Sequence, residues 1–174
     1  MPLPNFSGLA RAGLAALVLA TGPALAGDAI DPPQKTILSV VRGLEHWLDR
    51  ASPYPARREI PAIVFIDAED ARAMRASSGR LNGRLRGLYA ETSATIYLVR
   101  PWDAYDPHDA SVLLHELVHH RQATARHWYC DNAKEWDAYK LQERWLADLG
   151  LDAGLYWPAI LLQSSCTPRD IHPD

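Results

Sequence analysis

His115-Glu116-Leu117-Val118-His119 is the segment that most constrains what this chain can build. It follows Val112-Leu113-Leu114, so a helix through it runs largely buried. Histidines four residues apart stack on one helix face, where both imidazoles can grip one metal ion. At 3.6 residues per turn, Glu116 sits about 60° around the helix from His119, within reach of a water on that ion without being a ligand itself. Two imidazoles and a carboxylate are costly to bury in an apolar helix unless something satisfies them. A bound Zn²⁺, one per chain, would do so, and neutral imidazole suits zinc. The plainer alternative is a pair of core histidines beside a surface glutamate.

The flanking sequence gives this helix its limits. Asp106-Pro107 predicts its start, with Asp as N-cap and Pro at the first helical position, and the helix is expected to run to about Ala125. Upstream, Ile37, Val40, Val41, Leu44, Trp47 and Leu48 recur at helical spacing over 34–50. Ile60–Ile66 reads as a buried strand, 67–77 as a short helix after an Asp cap, and 78–86 as a loop. Leu88-Tyr89-Ala90 and Thr95-Ile96-Tyr97-Leu98-Val99 form a predicted hairpin closed by Pro101. A further helix is predicted over 131–149, capped by Asp131 and stopped by Gly150, with a last short helix or turn within 155–163.

A catalytic zinc site needs a third protein ligand and an open position. The metzincin pattern would place Gly and His three and six residues after the second motif histidine. Gln122 and Ala125 stand there, which excludes that class. His127, in the connection between the two helices, is one candidate ligand. With Glu135 on the following helix, the set His115, Glu116, His119 and Glu135 resembles the gluzincin group of zinc metallopeptidases. The likeness is closest to small exported bacterial proteins in which HELVH is followed by an E-x-x-A-Y-x-L-Q stretch, here Glu135 to Gln142, and it covers roughly residues 86–150.

The resemblance implies a compact α+β zincin-like fold, a small sheet with a hairpin edge strand packed on the motif helix and a following Glu-bearing helix that closes the site, and it matches TIYLV to the substrate-aligning edge strand. It implies zinc held by His115, His119 and Glu135, with Glu116 as general base in peptide-bond hydrolysis. The spacer from His119 to Glu135 is shorter than in larger members, and Tyr139 stands where those members place Asp. Tyr139 and Tyr129 are candidates for a supporting or oxyanion-stabilising phenol, and His120 points off the metal face. The spacing of Glu135, Ala138, Tyr139, Gln142, Trp145, Leu146 and Leu149 marks a core-facing stripe with a carboxylate at its head. Two other readings stay open: a zinc hydrolase of a non-peptide or cell-wall amide, and a zinc-binding module with little catalysis.

The ends of the chain bear on where it works. Arg11, the apolar run Ala12–Ala20 and the small-x-small ending Ala24-Leu25-Ala26 read as a secretory signal peptide over 1–26, leaving one domain over 27–174. The run is far short of the roughly 20 residues that span a bilayer, and no Cys stands at the cleavage point for a lipid anchor. The protein is therefore expected to be periplasmic or secreted, with no membrane association after cleavage. In such a compartment Cys130 and Cys166 are expected to pair, with metal thiolates as the alternative. A formal net charge of −3 without any run of Lys or Arg argues against a nucleic-acid partner. A peptide or protein substrate is the expected partner.

Overall fold

A computed structural model describes residues 32–78 and 85–166. The predicted signal segment and most of the predicted 78–86 loop lie outside the described residues. Asp31–Asp174 form one unit, a small α+β arrangement of five α-helices and a three-stranded sheet among the described residues. In chain order the elements are α1 (Pro32–Ala51), β1 (Ala62–Ile66), α2 (Ala68–Ser78), β2 (Gly87–Ala90), β3 (Thr95–Val99), α3 (Pro107–Gln122), α4 (Glu135–Asp148) and α5 (Trp157–Gln163). Single 3₁₀ turns occupy Glu91–Ser93 and Asp131–Lys134.

The strand order is β1-β3-β2, with β3 parallel to β1 and antiparallel to β2. Two expectations are corrected here. Thr95–Val99 (TIYLV) is the central strand, and the edge strand of the hairpin is β2. Ile60–Ile66 is not a buried strand: β1 starts at Ala62, lies on the opposite edge, and leaves Ile60 and Val64 exposed. Apolar composition marked both strands, but only pairing order decides which of two apolar strands lies inside.

Alternation along β3 divides the core in two. Ile96 and Leu98 meet Leu113, Leu114, Leu117 and Val118 of α3, while Val99 joins Ile66 and Ala71 against α2. On its other sides α3 meets Ile37, Val41, Leu44 and Leu48 of α1, and Ala138 and Leu141 of α4. Every residue of α3 except Pro107, His108 and Val112 is buried, polar ones included. The Asp106 carboxylate accepts the His108 amide at 2.8 Å, so the helix starts with the predicted cap. It ends at Gln122, one turn before Ala125.

Surrounding a helix on all sides leaves its polar residues to find partners within the protein. Arg121, 1% exposed, is satisfied by α1: it donates to the Glu45 carboxylate, to Asp49 Oδ1 at 2.6 Å and to the Glu45 carbonyl at 3.0 Å. The predicted 131–149 helix begins as a 3₁₀ turn and becomes α-helical only at Glu135, so Asp131 does not cap it. Its C-terminus is as expected: Gly150 takes φ +74°, and Leu151 N donates to Leu146 O at 2.9 Å, closing a Schellman-type end. Leu149 falls off the predicted stripe and is 52% exposed; Leu141 takes a core position instead.

Cys130 and Cys166 are joined in a disulfide, tying the turn before α4 to the chain after α5. No described helix is long and apolar enough to cross a membrane.

Candidate metal centre

The packing of α4 on α3 brings Glu135 to the motif histidines. Glu135 Oε2 lies 3.2 Å from His115 Nε2 and 3.5 Å from His119 Nε2, and the two Nε2 atoms are 3.0 Å apart. All three residues are buried, with exposures of 7%, 7% and 9% for His115, His119 and Glu135. They form a group that could hold a metal ion.

The opposite ring nitrogens show what this pocket requires. His119 Nδ1 is 2.9 Å from Gln122 Oε1, and His115 Nδ1 is 3.1 Å from Gln142 Oε1. Neither amide is free to turn over. The Gln122 nitrogen donates to the Lys134 carbonyl at 2.9 Å, which can only accept. The Gln142 nitrogen donates to Ser111 Oγ at 3.0 Å, whose own proton goes to the His108 carbonyl at 2.7 Å. Both glutamines therefore present oxygen to the rings, and both rings carry their proton on Nδ1. The lone pairs of two Nε2 atoms and a carboxylate oxygen then converge on one point. A cation is the species that satisfies this convergence, and imidazole with carboxylate is a donor set that metals such as zinc take. The residues present fit the group.

Electrostatics agrees. Burial acts to raise the Glu135 carboxyl, but a positive charge on the His119 side, carried by the ring itself when no cation is there, outweighs it and holds the group well below the usual carboxylate range. The pocket is arranged for positive charge opposite this carboxylate.

Glu116 turns to a different side of α3. It is 5% exposed, and its carboxylate lies against Gly87 at the start of β2. His120, one turn on, faces the same strand: its Nε2 donates to the Glu59 carbonyl at 2.8 Å and its Nδ1 receives the Tyr89 hydroxyl at 3.0 Å. Burial pushes its pKa down, and the nearby Arg57 guanidinium acts in the same direction. His120 is thus a partnered packing residue, off the metal face as expected.

Of the tyrosine candidates, the fold brings Tyr139 to the centre, its ring edge-on to His115 with centroids 4.4 Å apart. Tyr129 is 67% exposed and rests against His127 at 6.2 Å between centroids. His127 is itself exposed and does not belong to the ligand group. Glu135 is thus the third member of the group that could hold a metal ion, and His127 lies outside that group.

Several residues of the site carried no warning in the sequence. In the sequence Gln122 stands out only as the residue at the position where a metzincin carries Gly, although it lies one turn after His119. Gln142 was legible as part of the E-x-x-A-Y-x-L-Q stretch but without a role. Gly87 shows its importance only through the approach of Glu116.

No curated protein and no solved structure matches the chain. Residues 33–174 match a family described as a domain of unknown function, DUF6647, and the chain belongs to that family.

Proposed function

We propose that this protein is an exported zinc metallopeptidase of gluzincin type, with a zincin-like fold. The observation that carries the reading is the convergence of His115 Nε2, His119 Nε2 and Glu135 Oε2 with both imidazole protons held outward. Donors about 2.0–2.1 Å from a tetrahedral zinc ion stand about 3.3 Å apart. The separations of 3.0, 3.2 and 3.5 Å bracket that value.

When bound, zinc supplies Lewis acidity, which acidifies a water and polarises a carbonyl oxygen. The chain supplies the rest. Glu116, next to His115 on α3 and outside the group that could hold the metal, is the proposed general base. It takes the proton of the attacking water and delivers it to the nitrogen of the leaving amine, so one carboxylate serves as base and then as acid. Its place beside β2 supports a peptide as substrate. β2 is an edge strand, and its outer backbone groups can pair with an extended chain laid alongside. A scissile bond aligned on that edge passes next to Glu116. Tyr139 packs on His115 and holds the ring's orientation from the α4 side.

The test is hydrolysis of a casein or mixed-sequence fluorogenic peptide substrate by the purified mature chain. Activity is expected with zinc, and is expected to vanish with a strong chelator and return on re-addition. Glu116→Gln is expected to keep its zinc and lose at least about 10²–10⁴-fold in rate, the usual contribution of a general base. A variant with near-wild-type turnover would overturn the role given to Glu116.

A further inference from the structure

We propose that Gln122 and Gln142 form a reciprocal clasp that positions all three metal ligands at once. The inference rests on the metal reading of the site, and concerns how this chain holds the ligands in place.

Each glutamine crosses the boundary between α3 and the α4 segment, in opposite directions. Gln122 stands on α3. Its oxygen receives the proton of His119 on its own helix, and its nitrogen reaches across to the Lys134 carbonyl, the residue immediately before Glu135. Gln142 stands on α4, the helix that bears Glu135. Its oxygen reaches back to His115, and its nitrogen to Ser111, both on α3. Each amide therefore does two things. It sets the tautomer of one histidine, so that Nε2 offers a lone pair inward. It also ties the backbone that carries Glu135 to the backbone that carries the histidines.

Gln122 has a further polar neighbour. The Tyr54 hydroxyl shares a hydrogen bond with its side chain and itself donates to Asp137. Gln122 is fully buried, at 0% exposure, so no water competes for these bonds. The anchor it holds is also fixed: Lys134 Nζ pairs with Glu91 Oε2 at 2.7 Å and with Asp131 Oδ1 at 3.3 Å. A carbonyl immobilised in this way is a firm reference point for the carboxylate that follows it. Apolar packing alone would leave α4 free to slide by a few tenths of an ångström along α3, which is enough to spoil a metal site.

The experiment is a thermodynamic cycle on zinc affinity, read by competition with a chromophoric chelator on the full mature chain. Gln122→Met and Gln142→Met retain side-chain length and remove the amide. Each is expected to weaken zinc binding about 10–100-fold, the usual effect of losing a group that orients a ligand. Because part of that effect passes through Glu135, each substitution is expected to cost less in a Glu135→Ala background than in the wild type. Wild-type affinity in both methionine variants, or equal losses in both backgrounds, overturns the clasp. Should a variant fail to fold by circular dichroism, ¹⁵N-histidine spectra of the zinc-loaded wild type decide. Slowly exchanging protons on Nδ1 of His115 and His119 support the clasp, and protons on Nε2 overturn it. Failure of the wild type to take up zinc overturns the metal reading itself. It is told apart from failure of the clasp because the latter leaves wild-type uptake intact.

Discussion

Gly87 stands so close to Glu116 that a β-carbon added to it would lie 2.7 Å from Oε1 and 2.9 Å from Cγ of the glutamate. The edge strand and the proposed base therefore share one small space, and only glycine leaves room for the carboxylate. Gly87→Ala is expected to displace Glu116 or lift β2, costing about 1–3 kcal/mol in stability through overpacking. Zinc content is expected to stay near one per chain, because the ligand group faces α4, while peptide hydrolysis falls with the displaced base. Elemental analysis, a denaturation midpoint and an activity assay on one preparation check the three parts.

The third ligand is tested by a pair of substitutions. Glu135→Ala is expected to lose zinc under dialysis that the wild type survives, because it removes the carboxylate from the donor group. His127→Ala is expected to keep it, since that ring is exposed and leans on Tyr129. Reversed results would make His127 the ligand and end the gluzincin reading.

Tyr54 gives a pH signature at the alkaline end. Its phenol is pushed up from 10.0 to about 12, first by burial and then by its hydrogen bond to Asp137. Between those values the unfolded chain loses the proton and the folded one keeps it. Stability from this group is thus full below pH 10 and is lost as pH rises toward 12. Tyr54→Phe is expected to cost about 1–3 kcal/mol at neutral pH, because the buried Gln122 side chain and the half-buried Asp137 carboxylate each lose a partner. It is also expected to flatten the fall in stability over that alkaline window and to remove the latest component of the tyrosinate absorbance titration. A variant whose alkaline profile overlays the wild type's would show that the late titration belongs elsewhere.

The Cys130–Cys166 bridge closes a loop with a sequence separation of 36 that contains Glu135, α4 and α5. Chain entropy for a loop of that size predicts a loss of about 3–4 kcal/mol when the bridge is absent. Intact mass is expected to rise by about two hydrogens on reduction. Cys130→Ser with Cys166→Ser is expected to melt earlier and to release zinc faster, because the segment leading to Glu135 loses its tether. A double-serine variant with an unchanged melting point would refute this.

Export is checked by N-terminal sequencing of protein recovered outside the cytoplasm. The Ala24-Leu25-Ala26 ending predicts a mature chain that begins at Gly27. Recovery of a chain that retains Met1 would refute the cleavage.

Local patterns were enough for the parts of this protein that local physics decides. The i, i+4 spacing of His115 and His119 places two imidazoles on one face of any helix that forms there, and Asp106-Pro107 and Gly150 mark helix ends because capping involves only neighbouring residues. The glutamate at the head of the α4 stripe was legible because an apolar face rarely carries a carboxylate without a partner for it. Decisions about distant residues waited for the fold. Val99 and Ile63 belong to equally apolar strands, and nothing in either strand says that β3 is central and β1 an edge; pairing order alone makes that choice. Leu149 missed the core because α4 ends at Asp148 and Leu149 is its C-cap, where the chain leaves the helix before the stripe reaches it. The partners of His115 and His119 lie on Gln142 and Gln122, whose amides acquire their orientation only from Ser111 and Lys134 across the α3–α4 boundary. A hydrogen bond between elements depends on where two backbones meet, and that is set by packing rather than by the order of residues along either helix.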